Sequence, residues 1–410
     1  MADIELQPSN LWSLLSKQGT FPQGASRYTI EGIAGPDKDG SVYAIVNYDK
    51  DDDNVAGGVL KLDVKNRRIQ WLHKVAGSSP TNWETIEGSN GRGYILSRDC
   101  SSEYGSVFVV SGDGTKLYFL KVDMVRHDVW EEPVPVRNTL YEYDTITGIE
   151  RSVARVPDFF RDGFFVSPDG SKLLVPHHSD EQGNSVGQVY DLKNGKVHSL
   201  ASSAIHWQGR TSMCFSNDGN HIVITHRDKS DATAMVFNAN TGRPLFSENK
   251  VIHRGTNLSC VAPIPGGYLF AFSDGFVKTD ENLNQVEYMP LDESKYGHHE
   301  PLFFMLDAQC RFGLVVWKST RTYCYVDFEE HTYCDDIVTF GSDGDNDNTR
   351  QVILFSRDGS KLYTDYTWFR YEHDAVWEAP LSGFPMKPFA APKPAEPEFD
   401  WSMFFNEGDN

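Results

Sequence analysis

The chain has 410 residues, 39% apolar and 13% aromatic, enough to bury a sizeable core and rich in side chains that half-buried strands favour. Its 58 acidic and 38 basic residues leave a formal charge of −20, which repels nucleic-acid phosphates over most of the surface and argues against direct DNA or RNA binding. Six cysteines, Cys100, Cys214, Cys260, Cys310, Cys324 and Cys334, stand apart with no C-x-x-C pair, so the spacing writes neither a zinc site nor a disulfide scaffold and a reducing compartment is expected.

In chain order, the N-terminus carries no basic and apolar leader, and no stretch approaches the 18 apolar residues of a membrane span. The expectation is a cytoplasmic protein with no membrane span. Ser9 to Lys17 reads as a short helix: Ser9 can cap it, Leu11, Trp12, Leu14 and Leu15 give an apolar face, and Gly19 stops it. Residues 1–27 are thus a helix and lead-in, placed either to seal the following domain or to dock a partner.

From residue 28 onward the chain repeats itself. The turn Ser111-Gly112-Asp113-Gly114 recurs at Ser167-Pro168-Asp169-Gly170, Ser216-Asn217-Asp218-Gly219 and Ser356-Arg357-Asp358-Gly359. Each copy leads into a strand-like run: Lys116-Leu117-Tyr118, Lys172-Leu173-Leu174, His221-Ile222-Val223 and Lys361-Leu362-Tyr363. Asp-Gly tolerates positive φ between two β-prone runs, so each is a hairpin. The steps between the serines are 56, 49 and 140. The last is close to three periods of 47 and predicts two degenerate copies, which stand at Pro263-Ile264-Pro265-Gly266-Gly267 and Asp307-Ala308-Gln309-Cys310. A second register, a strand ending in an acid or amide before a polar turn, reads Leu62-Asp63, Tyr143-Asp144, Tyr190-Asp191, Phe237-Asn238, Thr279-Asp280 and Val326-Asp327. From Asp144 its steps are 47, 47, 42 and 47, and a seventh copy is placed at Val376-Trp377-Glu378 before Ser382-Gly383.

Two hairpins in each period of about 47 residues make four strands, the signature of a propeller blade. The predicted fold is all-β, a seven-bladed β-propeller over residues 28–388, with blades near 28–75, 106–154, 164–200, 212–248, 258–289, 302–334 and 351–388. Residues 76–105 form either an inserted hairpin or an eighth blade. The run Ser167-Pro168-Asp169-Gly170-Ser171-Lys172-Leu173-Leu174-Val175 and its copies resemble the WD40-like and YVTN-type propeller repeats, although the Gly-His and Trp-Asp dipeptides of true WD40 repeats are missing. That resemblance implies architecture, and members that are mostly scaffolds, with some enzymes and sugar binders.

Two further segments stand out. His127-Asp128-Val129-Trp130-Glu131 is nearly repeated as His373-Asp374-Ala375-Val376-Trp377-Glu378, which suggests that blades 2 and 7 are close duplicates. After Pro385 the chain turns proline-rich and reads as an extended linker. Residues 389–410 form a linker and an acidic tail with Phe399, Asp400, Trp401, Met403, Phe404 and Phe405. Aromatic side chains in an acidic tail either pack back onto the propeller or dock in another protein's groove. This tail is the candidate partner-binding element, and the acidic balance suits a basic partner protein.

Motifs that carry chemistry are sparse. Asp49, Asp51 and Asp53, and Asp343, Asp345 and Asp347, alternate like calcium-loop ligands, but Asn54 and Asn348 stand where such a loop needs Gly, and Leu60 and Leu354 where it needs Glu. They read as solvated loop tips; no cofactor is assigned, with calcium or a transition metal as alternatives. Several of the thirteen histidines follow second strands of blades, and His177, His178, His226 and His299 are nominal axial metal candidates. Propeller-fold oligogalacturonate lyases hold a metal with His and Gln near the axis, and this chain lacks their closely spaced ligand cluster. There is no G-x-S-x-G elbow and no P-loop, and Gly88-Ser89-Asn90-Gly91-Arg92-Gly93 fits a hairpin better than a phosphate cradle. The reading is a non-catalytic protein–protein interaction module or scaffold; the alternative is a metal-dependent lyase or carbohydrate-binding protein that uses the axial pocket, with no catalytic residue assigned.

Overall fold

A computed structural model describes residues 4–5, 9–10, 28–51, 54–75, 84–86, 89–96, 100–101, 105–106, 108–126, 134–156, 163–176, 185–201, 212–228, 231–254, 260–292, 301–317, 322–338, 353–364 and 376–391. Each Asp-Gly turn of the sequence closes an antiparallel hairpin. Lys116–Arg126 pairs with Phe108–Val110 on one side of the Ser111 turn and with Val134–Asp144 on the other. Four such strands make one sheet. Blade 1, for example, runs Tyr28–Ala34, Val42–Asp51, Asn54–Asp63, Arg68–Val75 in that spatial order. The same order recurs in blade 3 (165–201), blade 4 (213–253), blade 5 (260–290) and blade 6 (301–338). The protein is an all-β, seven-bladed propeller.

Alternation along the strands explains why the blades form a ring. In blade 2, Leu117 and Phe119 pack with Tyr43 and Ile45 of blade 1, whereas Tyr118 and Leu120 between them pack with Leu173 and Val175 of blade 3. Side chains that alternate across a sheet thereby serve two neighbours. Seven separate apolar clusters result, each shared by two adjacent blades, including one that joins blade 7 back to blade 1 through Tyr363, Val376 and Val46. A fully buried Val, Leu or Phe in such a cluster contributes roughly 1.5–3 kcal/mol. Cys214, Cys260, Cys324 and Cys334 lie buried in this core, and these four together with Cys310 are free thiols.

Three features depart from or refine the sequence reading. Residues 84–96 are an inserted hairpin and not an eighth blade: Ser89–Leu96 pairs with the far half of Lys116–Arg126, where the three-residue inner strand of blade 2 no longer reaches. Ser9, expected to cap a helix, lies instead in the strand Ser9–Asn10, which pairs with Trp377–Pro380 as the outermost strand of blade 7. The rest of that expected helix lies outside the described residues. Blade 7 therefore takes one strand from the N-terminal end of the chain, which closes the ring without a covalent bond. Finally, Ile4–Glu5 adds in parallel to Thr332–Val338 of blade 6, and Lys387–Pro388 adds to the same strand in antiparallel.

Candidate functional site

The turns at one end of the strands share a single hydrogen-bond plan. In blade 3, Ser167 Oγ donates to Asp169 Oδ1 at 2.8 Å and accepts from the Lys172 N–H at 2.9 Å, while the Gly170 N–H bonds back to the Ser167 carbonyl at 2.9 Å. Blades 2, 4 and 7 repeat this with Ser111, Ser216 and Ser356. In blade 6 Asp307 replaces the serine, its Oδ1 accepting the Phe312 N–H at 2.7 Å. In blade 1 Asp37 stands at this place.

The second register supplies the companion turns at the same end. Asp144, Asp191, Asp280 and Asp327 each accept backbone N–H groups from residues two to four further on. The two turn classes of a blade are then tied together: Thr145, Leu192, Ala239, Phe328 and Leu381 each donate a backbone N–H to the neighbouring turn. This tie corrects the seventh copy. Pro380, which faces Lys361, takes the place that Asp144 holds opposite Lys116, so the register is two residues later than Glu378.

Glu378 has a different counterpart. Lys361 Nζ lies 3.1 Å from Glu378 Oε2, as Lys116 Nζ lies 3.1 Å from Glu142 Oε1. Each acid sits across the sheet from a tyrosine, Tyr363 and Tyr118. The repeated motif of the sequence sets Glu378 against Glu131 instead, so this correspondence between blades 2 and 7 is not the one that motif suggested. The segment 127–133, which holds the first copy of the repeated motif, and the segment 365–375, which holds His373 to Ala375 of the second, lie outside the described residues, between the second and third strands of their blades in the sequence.

The buried charges on this side are fully engaged. Asp37, 1% exposed, accepts from Tyr43 Oη at 2.7 Å, Lys61 Nζ at 2.8 Å and two backbone N–H groups. Burial, then the Asp37 charge, push the Tyr43 hydroxyl far above its ordinary range. Burial alone would raise the Glu142 carboxyl, but donors on Arg151, Tyr118 and Lys116 outweigh it and hold the group below its ordinary value. Carboxylates saturated by donors in this way hold strands and turns together and are poor proton acceptors.

Of the nominal axial histidines, only His226 is described. It lies on the second strand of blade 4, with Nδ1 2.6 Å from Thr233 Oγ1 on the third strand and Nε2 3.4 Å from Asn249, next to the fourth. Both ring nitrogens face the outer half of the blade, away from the axis. His177, His178 and His299 lie outside the described residues, as do Asp53 and Asp343 to Asp347. Among the described residues, no three His, Cys, Asp or Glu side chains converge as metal ligands would. The tail residues Phe399, Asp400, Trp401, Met403, Phe404 and Phe405 also lie outside the described residues. No described helix is long and apolar enough to cross a membrane.

The root of that tail is well defined, and the sequence reading as an extended linker missed it. Residues 384–390 strap the rim. Phe384 packs edge-on to Tyr325 at 5.8 Å, and Lys387 Nζ reaches Asp335 at 2.7 Å while lying over the Tyr333 ring. Phe389 stacks on Tyr333 at 5.2 Å and meets Phe276 of blade 5 at 6.1 Å. The Ala390 N–H then bonds to the Pro290 carbonyl of blade 5 at 3.1 Å. The signal for this strap was an aromatic or Met at Phe384, Met386 and Phe389, interleaved with the prolines.

No model of a known protein family matches the chain, and no curated protein sequence matches it. Solved structures with a similar course of the chain include β-propeller domains. The β-propeller domain of the trilobed protease from Pyrococcus furiosus has a TM-score of 0.48 at 10% identity, covering 90% of this chain and 97% of that one. The β-propeller domain of Cps50 (Swd1) from Myceliophteria thermophila has 0.46 at 10%, with 87% and 96% covered. An oligogalacturonate lyase from Vibrio parahaemolyticus has 0.48 at 12%, with 92% and 93% covered.

Proposed function

We propose that this protein is a non-catalytic protein–protein interaction module, a rigid ring that presents an acidic aromatic tail to a basic partner in the cytoplasm. The observation that supports the reading is the strap: Phe384, Lys387 and Phe389 hold the root of the tail against blades 5 and 6, so the segment that follows begins at the rim of the ring. Short acidic segments with aromatic anchors bind grooves by burying the rings and steering with the charges. The net charge of −20 adds long-range attraction for a basic partner and repulsion for nucleic acid. Nothing described favours the alternative of a metal-dependent lyase or sugar binder, because the one described histidine of that reading is taken up by Thr233 and Asn249.

The test is an affinity pull-down from native lysate with the full chain and with a chain ending at Ala391, which keeps the strap. A stoichiometric basic partner lost with the tail supports the proposal. A partner retained without the tail moves the contact to the ring, and capture of no protein by either chain overturns the reading.

A further inference from the structure

The two sides of the ring carry opposite charge at the turn end of the strands. The companion turns of blades 3 and 4 bear Lys193, Lys196 and Arg243, whereas those of blades 5 and 6 bear Glu281, Glu329 and Glu330, all exposed. The acids that open three of these turns are already engaged: Asp191 and Asp280 by donors of their own turns, Asp327 by Arg311. Lys193 lies 3.8 Å from Asp169, and Glu329 lies 2.7 Å from Arg311. Lys196, Arg243, Glu281 and Glu330 form no ion pair among the described residues. Two nearby acids stand apart from this pattern. Glu287 faces His331 at 3.4 Å, and Glu248 is exposed on the bend that leads down into Lys250–His253.

Exposed aliphatic side chains follow the same arc. Directly past the companion turns, Val197 of blade 3, Leu245 of blade 4 and Val286 of blade 5 are 48%, 44% and 62% exposed. In blade 6 this place belongs to Tyr333, which is buried and stacked under Phe389 of the strap. Blades 4 and 5 are joined at this level, because Lys250 Nζ donates to the Asn282 carbonyl of the blade 5 turn. Arg243 with Leu245 and Glu281 with Val286 thus lie on either side of one blade boundary.

Such a pattern is complementary to itself. Blades 3, 4, 5 and 6 are consecutive in the ring. A two-fold axis that points outward between blades 4 and 5 lays the turn end of one copy on that of another, with blade 4 over blade 5 and blade 3 over blade 6. Each contact across such an axis is made twice, once in each direction. With this axis Arg243 opposes Glu281, Lys196 opposes Glu330, and Leu245 meets Val286. An axis between blades 3 and 4, or between blades 5 and 6, sets like charges together instead. Blade 1, across the ring, exposes Lys65, Arg67 and Arg68 and repels its own copy, so the rings meet along blades 3–6 and splay apart on the far side. We propose that this face is a two-fold interface, and that its occupant is a second copy of the chain. Exposed ion pairs contribute little singly and are screened by salt, so the dimer is weak and depends on ionic strength. The tail and its partner play no part in this contact.

Sedimentation velocity of the full-length chain tests this, at about 0.02 M and about 0.5 M ionic strength. The expected result is a monomer–dimer equilibrium at low salt that weakens about tenfold at high salt. Lys196→Glu with Arg243→Glu, or Glu281→Lys with Glu330→Lys, should each abolish self-association. An equimolar mixture of the two variants should restore it as a heterodimer, because every opposed pair is again opposite in charge. All four changes in one chain should restore the homodimer. A wild-type chain that stays monomeric at low salt overturns the proposal. So does assembly beyond a dimer, or a mixture that stays monomeric although both variants keep the wild-type circular dichroism. A monomeric wild-type chain that binds anionic lipid vesicles or polyglutamate through Lys196 and Arg243 overturns it as well, in favour of that occupant. The pull-down with the chain ending at Ala391 reads a different contact, so the tail reading and this one fail separately.

Discussion

Blades 3 and 6 make the same turn from different residues. In blade 3 it is Ser167, Asp169 and Gly170; in blade 6 it is Asp307, Gln309 and Cys310. Both turns close with the fourth residue donating to the first carbonyl, at 2.9 Å from Gly170 and 3.0 Å from Cys310. Both place that residue at positive φ, 66° for Gly170 and 57° for Cys310. The companion turns show the same contrast, with Gly148, Gly195 and Gly242 matched by Arg67 and His331 at φ 51° and 53°. What the ring requires is the backbone conformation and one acceptor at the first position. Glycine and serine are the cheapest way to meet that requirement and not the only one.

The comparison is broken most severely where a glycine has a second duty. Gly114 not only has φ 73° but also lies against blade 1, where an added Cβ would collide with the backbone nitrogen of Lys38. Gly195 has φ 70° and open space around it. Gly114→Ala is expected to cost about 3 kcal/mol, from the left-handed conformation plus the displaced blade contact. Gly195→Ala should cost about 1 kcal/mol, the conformational part alone. Urea unfolding of the two variants checks the ordering; equal losses would mean that the turn conformation, not the blade contact, sets the cost. Next in size is the strap. Phe389→Ala removes a partly buried ring from the cluster of blades 5 and 6 and is expected to cost about 2 kcal/mol, measured in the same way.

These differences also explain what the sequence could and could not show. Ser-x-Asp-Gly before an apolar run is local chemistry, so four hairpins are legible directly, and their spacing finds the degenerate turns at Pro263 and Asp307. The register of blade 7 was misread because Glu378 is an acid at a strand end in sequence, whereas in space it is the counterpart of Glu142 and Pro380 fills the turn position. Ser9 satisfies the local rule for a helix cap, yet its strand of two residues exists only because the edge of Trp377–Pro380 is there to pair with. The strap is similar: Pro385 and Pro388 read as linker, and only the groove lined by Tyr325, Tyr333 and Phe276 gives Phe384 and Phe389 somewhere to go. Of the candidate site residues, His226 and the strap below the tail could be placed, and neither placement follows from motif alone.

Charge sharpens the same contrast between blades. In the serine-type turn of blade 4, burial would raise Asp218, but donors on Ser216 and Asn220 outweigh it and hold it at about 2, below the ordinary 3.8. In blade 2, the backbone N–H of Thr147, with Lys116, likewise holds Asp144 at about 2. In blade 6, burial raises Asp307 above 3.8 despite its backbone donors. A lowered carboxyl adds stability above its unfolded value, lost as pH falls through its folded value; a raised one subtracts stability as pH rises above its unfolded value. Asp218→Asn should therefore flatten the fall in stability between about pH 4 and pH 2. Asp307→Ser, which installs the residue used by the other blades, should raise stability at pH 7 and have no such benefit at pH 3. Unfolding curves across this range check both, and a benefit of Asp307→Ser that persists at pH 3 would place its origin in packing.

The smallest change moves a degenerate turn toward the common one. Arg67 is exposed, lies at φ 51° and occupies the place of Gly148 and Gly195, four residues after Asp63. Arg67→Gly relieves the left-handed conformation, worth about 1–2 kcal/mol for a residue with a Cβ, but it also frees the unfolded chain, which takes back part of that gain. The expected net effect is a stabilisation of about 0.5 kcal/mol, read as a small upward shift of the urea midpoint with an unchanged slope. The companion change His331→Gly should gain less, because His331 Nδ1 stands 3.4 Å from Glu287 of blade 5 and the substitution removes that contact between blades. If the two variants gain equally, the exposed contact between His331 and Glu287 contributes nothing measurable, and backbone conformation alone separates the glycine turns from the rest.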